Sequence, residues 1–113
     1  MTIFYKNQGY DLTTTNLTTV LNINTSTVAI IKEIAVTNDD NSAHKVDYFF
    51  RDVSTSTTYK FYHTNVPADS HDNAVHNSRV LEEGDYLQFQ ADTANVISGQ
   101  ISYALLTRSG ENG

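Results

Sequence analysis

No window of this chain holds a sustained 3.6-residue apolar period, whereas several windows alternate apolar and polar residues. A helix needs an apolar stripe recurring every three to four residues, and a half-buried strand needs a period of two. That single fact removes most fold classes. The clearest alternation lies in the last third. Val80 and Leu81 lead into the acidic turn Glu82-Glu83-Gly84-Asp85, and Tyr86, Leu87, Phe89 and Ala91 come next. After a short polar link come Ile97, Ile101, Tyr103, Leu105 and Leu106. This pattern predicts an antiparallel sheet with one dry and one wet face, and a closing hairpin of 86–91 with 99–107.

The rest of the chain reads the same way. Thr, Asn and Ser are abundant, which suits strands and turns. Residues 2–5 are expected as an arm or short edge strand, with a break at Asn7-Gln8-Gly9. Residues 17–23 form an imperfect strand, compatible with a bulge. Residues 27–37 are the strongest strand. Val28, Ile30, Ile34 and Val36 share one parity, and Ala29, Ile31 and Ala35 take the other. Apolar residues on both parities predict a central strand, with Lys32 and Glu33 near its wet end. Asn38 to Ser42 is a loop. Residues 44–52 and 58–62 form a hairpin around Ser54 to Thr57. Residues 63–74, with the only proline, are expected as a surface loop, and apolar character returns at 75–81. The fold class is therefore all-β: a single-domain antiparallel β-sandwich, jelly-roll-like. Its parts are an N-terminal arm or edge strand at 1–10, the sandwich at 11–108, and a frayed tail at 109–113.

Composition narrows the chemistry. At 113 residues the chain suffices for one core. Only 39% of residues are hydrophobic and none is cysteine, so the core is thin and has no covalent staple. Oligomerisation is the natural substitute. The formal charge is −6, and Lys6, Lys32, Lys45, Arg51, Lys60, Arg79 and Arg108 are scattered singly. A phosphate backbone or an anionic membrane needs concentrated positive charge, so neither nucleic acid nor membrane is expected as a partner. The first residues lack the apolar run and cleavage site of a secretory signal.

Each candidate site competes with a plainer reading. His63, His71 and His76 lie near Asp69 and Asp72, and imidazole and carboxylate together suit zinc or nickel. Their spacing matches no ligand motif, and a solvated loop accounts for them. His44 reads as a surface residue at the start of a strand. Asp39 and Asp40, flanked by Asn38 and Asn41, depart from a calcium loop because the aspartates are adjacent and no glycine comes after them. Glu82, Glu83 and Asp85 read as carboxylates of a glycine turn facing water. No nucleophile elbow or phosphate-cradling loop is present, so neither enzyme activity nor a cofactor is expected. Tyr48, Phe49, Phe50, Tyr59, Phe61 and Tyr62 crowd one hairpin. Such a patch predicts a subunit interface more than a sugar-stacking platform.

Several segments together resemble small virion proteins of tailed bacteriophages. They are Leu17-Thr18-Thr19-Val20-Leu21, Val28 to Asn38, Val66-Pro67-Ala68-Asp69-Ser70, Val80 to Asp85 and Ile101 to Leu106, spanning most of 17–106. The first ten residues and the histidine-rich 63–76 stretch depart from that pattern. The resemblance implies a structural protein located in the virion: a capsid decoration (cement) protein, or a part of neck, tail or fibre. The expected partners are copies of itself, as a homotrimer, and the major capsid protein or other virion proteins. The residues expected to make the contacts are Phe4, Tyr5, Phe49, Phe61 and Tyr62. The alternatives are a tail-fibre or neck module that recognises a host glycan or another virion protein, and a small metal enzyme in which His63, His71 and His76 converge.

Overall fold

A computed structural model describes residues 2–75 and 77–107. Nine strands are present among them. They are β1 (Thr2–Leu12), β2 (Thr18–Asn22), β3 (Thr27–Asn38), β4 (His44–Asp52), β5 (Thr57–Val66), β6 (Ser70–Asn73), β7 (Arg79–Leu81), β8 (Tyr86–Ala91) and β9 (Ile97–Thr107). One sheet has the order β1-β9-β3-β6, with β7 also pairing β3, and the other has the order β2-β8-β4-β5. All pairings are antiparallel. Only the β4–β5 and β6–β7 connections stay on one sheet; every other connection crosses the sandwich. Two packed sheets wound in this way make a jelly roll.

Alternation fills the core. Leu12, Ile34, Val36, Val46, Tyr48, Leu87, Phe89, Ile97 and Ile101 are fully buried between the sheets. Phe89 is gripped edge-on by Tyr10 at 5.1 Å and by Tyr48 at 4.9 Å between ring centroids. Both phenols have polar partners, as buried hydroxyls must. The Tyr10 hydroxyl donates to the Ala35 carbonyl at 2.7 Å, and the Tyr48 hydroxyl shares a hydrogen bond with Thr64 at 2.9 Å. Burial pushes both phenols well above their ordinary range.

Several expectations are corrected. Segments 86–91 and 99–107 are not a hairpin. They belong to opposite sheets, where β8 pairs β2 and β4 while β9 pairs β1 and β3. Alternation reveals that a strand has a dry face but not which sheet receives it. Residues 63–74 are not a loop, since β5 continues to Val66 and β6 occupies 70–73. Exposed polar side chains such as His63, Asn65 and His71 belong to the wet faces of edge strands, while Thr64 is buried. There is no break at Asn7–Gly9, because β9 pairs β1 along its whole length. Lys32 and Glu33 lie in mid-strand rather than at an end: the register with β9 slips between Ile31 and Glu33. Asp85 does not face water but is buried. Its carboxylate accepts the backbone N–H of Val53 at 3.1 Å and of Glu82 at 3.0 Å. The expected tail at 109–113 lies outside the described residues, as does His76.

Candidate assembly surface

The bulge at Lys32 governs the outer surface. Before it, Ala29 and Ile31 point into the core; after it, Ile34 and Val36 do. An extra residue in one strand reverses the parity of every residue beyond it. The apolar pair Val28 and Ile30 is therefore turned outward, while Ile34 and Val36, of the same parity in sequence, are turned in.

Residues directly opposite in a ladder share a face. Ile3 pairs Leu106, which pairs Val28. Tyr5 pairs Ala104, which pairs Ile30, which pairs Val80. These two rows run side by side across the outer face of the β1-β9-β3-β7 sheet. Ile3 is 53%, Tyr5 87% and Val80 60% exposed, and no residue in either row is charged. Further along the same face the rows turn polar. Asn7, Ser102 and Glu33 make one, and Asp11, Ser98, Thr37 and His71 another.

The outer face of the other sheet is different. Asp47, Phe49 and Arg51 point outward beside Gln88, Gln90, Lys60 and His63. Lys60 pairs with Asp47 at 3.0 Å. That face is mostly polar, with Phe49 and Tyr86 as half-buried aromatic residues. The two outer faces are thus chemically opposite, and only one has an apolar half.

The outer edge of β1 adds to the contrast. Among the described residues β1 pairs only β9, and every residue from Thr2 to Gly9 is exposed. Phe4 has the opposite parity to Ile3 and Tyr5. It pairs Leu105 on the inner side of the sheet yet remains 48% exposed. An unpaired edge beside apolar side chains is a template for a further chain.

The hairpin aromatics are mostly absorbed by the sandwich itself. Tyr48 is buried, and Phe50, Phe61 and Tyr62 pack against the core. The β4–β5 register slips between Tyr48 and Phe49, which leaves Phe61 as the extra residue on β5. Phe61 also lies 4.6 Å beneath the Arg79 guanidinium, and Tyr59 stacks on Phe50 at 5.4 Å.

The structure does not bring His63 and His71 together. His63 stands on the outer face of one sheet, opposite Asp47, and His71 on the outer face of the other, opposite Thr37. The whole core separates them. Among the described residues, the group with metal-ligand spacing is Asp52, Glu82 and Asp85. Both Asp85 oxygens already accept backbone N–H groups. Asp52 accepts the Ser54 hydroxyl at 2.6 Å, which holds its carboxyl below the usual range. These contacts secure two turns.

Of the residues singled out from the sequence, Tyr5 lies on this apolar face and Phe4 beside it; Ile3, Val28, Ile30, Val80 and Leu106, which share the face, were not singled out. The signal was present in the double parity of residues 28–36 around the Lys32-Glu33 pair. Such a switch marks a bulge as well as a strand covered on both faces.

No family model matches this chain, and no curated protein matches it. Among solved structures it is similar to a chain of the acid-stable capsid of Helicobacter pylori bacteriophage KHP30. The TM-score is 0.58 at 10% identity, covering 94% of this chain and 88% of that one. It is also similar to a chain of the Bacillus endospore appendages, a family of disulfide-linked pili. That TM-score is 0.54 at 15% identity, again over 94% and 88%. These likenesses show a shared fold.

Proposed function

We propose that this chain is a structural subunit of a phage particle, and specifically a capsid decoration protein that fastens its neighbours without covalent bonds. The observation that carries this reading is the uncharged two-row face of Ile3, Val28, Ile30, Val80, Tyr5 and Leu106, beside the open β1 edge. A contiguous apolar face on an otherwise polar, acidic domain marks a surface that another protein covers. The fold supports the reading, since it is shared with a phage capsid chain and with a subunit of assembled appendages. Those appendages are disulfide-linked, whereas this chain has no cysteine, so its contacts include no disulfide.

In this arrangement copies of the chain form a trimer, and the trimer sits on the major capsid protein. Ile3 and Tyr5 carry the contact and Phe4 extends it around the end of the sheet. Phe49 offers a smaller contact on the other face, and Phe61 and Tyr62 support the hairpin from within. Each contact is modest. Repetition over a lattice multiplies it, because every bound neighbour raises the effective concentration for the next. Binding also stabilises a domain with a thin core, since only the folded form is bound.

The test combines solution mass and particle composition. The wild type is expected to exceed monomer mass, and virions to contain hundreds of copies, as decoration of a shell requires. Tyr5→Ser with Ile3→Ser should reduce the mass to a monomer and leave the melting temperature of that monomer intact, because both side chains are exposed. Unchanged assembly of a folded double variant would refute the contact. Absence from purified particles would refute the location.

A further inference from the structure

One end of the sandwich is tied together by a histidine. His44 opens β4, and its side chain is only 12% exposed. Its Nε2 lies 2.6 Å from Asp40 Oδ2, in the β3–β4 crossing, and its Nδ1 lies 2.9 Å from Asp92 Oδ1, in the β8–β9 crossing. Both aspartates are oriented by a backbone N–H on the other oxygen. Asn41 donates to Asp40 Oδ1 at 2.8 Å, and Lys45 donates to Asp92 Oδ2 at 3.0 Å.

A neutral imidazole has one N–H, yet both ring nitrogens face carboxylate oxygens, which only accept when ionised. The Thr93 hydroxyl lies 3.0 Å from Asp92 Oδ1 and 3.1 Å from Nδ1. An imidazolium, with a donor on each nitrogen, satisfies both carboxylates at once.

Other hydrogen bonds also hold the crossings that meet here, among them Asp92 N–H to Lys45 at 3.1 Å, Asn95 N–H to Leu12 at 3.0 Å and Asn38 Nδ2 to Val66 at 3.0 Å. The Asp39 N–H donates to Val96, and the Asp69 N–H of the β5–β6 crossing donates to Asp40, each at 2.9 Å. Asp39 and Asp69 stand on these loops and Lys45 on β4, while Val66, opposite His44 on β5, is uncharged.

We propose that His44 is a proton-operated latch, which as an imidazolium ties the β3–β4 and β8–β9 crossings through Asp40 and Asp92 and releases them when it deprotonates. The hydrogen bond to Asp40 and then that to Asp92 raise His44 above the ordinary histidine value, although burial opposes this. A raised histidine stabilises the fold in its charged form. Its contribution is complete below about pH 6.5 and is lost as pH rises through the raised value. The hydrogen bond from His44 lowers Asp40. At Asp92 burial pushes upward, but the Lys45 N–H, Thr93 and His44 together hold the carboxyl below its usual range. Those contributions fail only in stronger acid. The latch is closed in mild acid and opens towards alkaline pH.

The test is a nitrogen-15 titration of the full chain with thermal melts. His44 should carry protons on both ring nitrogens at neutral pH, and its midpoint should lie above the ordinary value of about 6.5. Asp92→Asn should lower that midpoint. Between about pH 6 and about pH 9 the wild-type melting temperature should fall by a few degrees, while His44→Gln stays nearly level. A single-tautomer neutral ring at pH 6, or a midpoint at or below the ordinary value, overturns the latch. So do parallel melting curves. If His44→Gln fails to fold, the wild-type and Asp92→Asn titrations still decide.

Discussion

Gly99 shows how a single residue makes room for the core. A Cβ there would lie 1.9 Å from the Ala35 carbonyl oxygen and 2.7 Å from the Tyr10 hydroxyl. Tyr10 pairs Gly99 across the β1–β9 ladder and crosses over it to reach Ala35 on β3. The missing side chain on β9 therefore lets one phenol link three strands. Gly99→Ala should cost about 3 kcal/mol or more, because the clash is with backbone. Gly9→Ala, where the nearest atom is 4.0 Å away, should cost little. Denaturant midpoints of the two variants check the contrast; equal values would contradict it. Asn38 has a similar role in the loops. It is 1% exposed, and its Nδ2 lies 2.8, 3.0 and 3.2 Å from the carbonyls of Ser42, Val66 and Pro67. In sequence Asn38 is one polar letter of a loop. What sets it apart is burial, which no local pattern reports.

At the scale of the element, the bulge in β3 matters most. It places Ala29 and Ile31 in the core beside Ile34 and Val36, and it frees Val28 and Ile30 for the outer face. Deleting Lys32 would remove the extra residue and set the two halves of β3 in conflict. Either Ala29 and Ile31 or Ile34 and Val36 would then leave the core. Losing even one such isoleucine typically costs about 2–5 kcal/mol, roughly the scale of a whole domain's stability. The deletion variant should therefore fail to fold cooperatively, seen as loss of a sharp thermal transition. A Lys32→Thr substitution, which keeps the count, should melt within a few degrees of the wild type. Segments dominated by one parity, such as 44–50, where only Phe49 breaks the alternation, and 86–91, were legible as strands from residue types alone. β5 beyond Tyr62 and β6 were not, because edge strands with wet faces look like loops in composition.

At the scale of the whole molecule, charge and apolar surface oppose each other. Copies with a net charge of −6 repel at long range, while the two apolar rows attract at contact. Salt screens the repulsion, with a Debye length of about 10 Å at 0.1 M, and leaves the attraction largely untouched. Self-association should therefore strengthen as sodium chloride rises from about 0.05 M to about 0.5 M. Sedimentation across that range measures it; association that weakened with salt would point to ion pairs instead of the apolar face. The two outer surfaces assign different tasks to the two sheets. The β2-β8-β4-β5 face carries Asp47, Lys60 and Arg51, and in the proposed assembly the β1-β9-β3 face offers Ile3 and Tyr5 to a neighbour.

By itself the sequence determined an all-β sandwich, with its dry faces and the hairpin at 44–62, because a period of two is a local property that survives without knowledge of partners. Only the tertiary structure decided which sheet each strand joins, that β8 and β9 part company, that Lys32 sits in a bulge, and that His44 meets two aspartates from separate crossings. Each of these depends on residues distant in the chain, and alternation along one strand contains no information about the strand it will face.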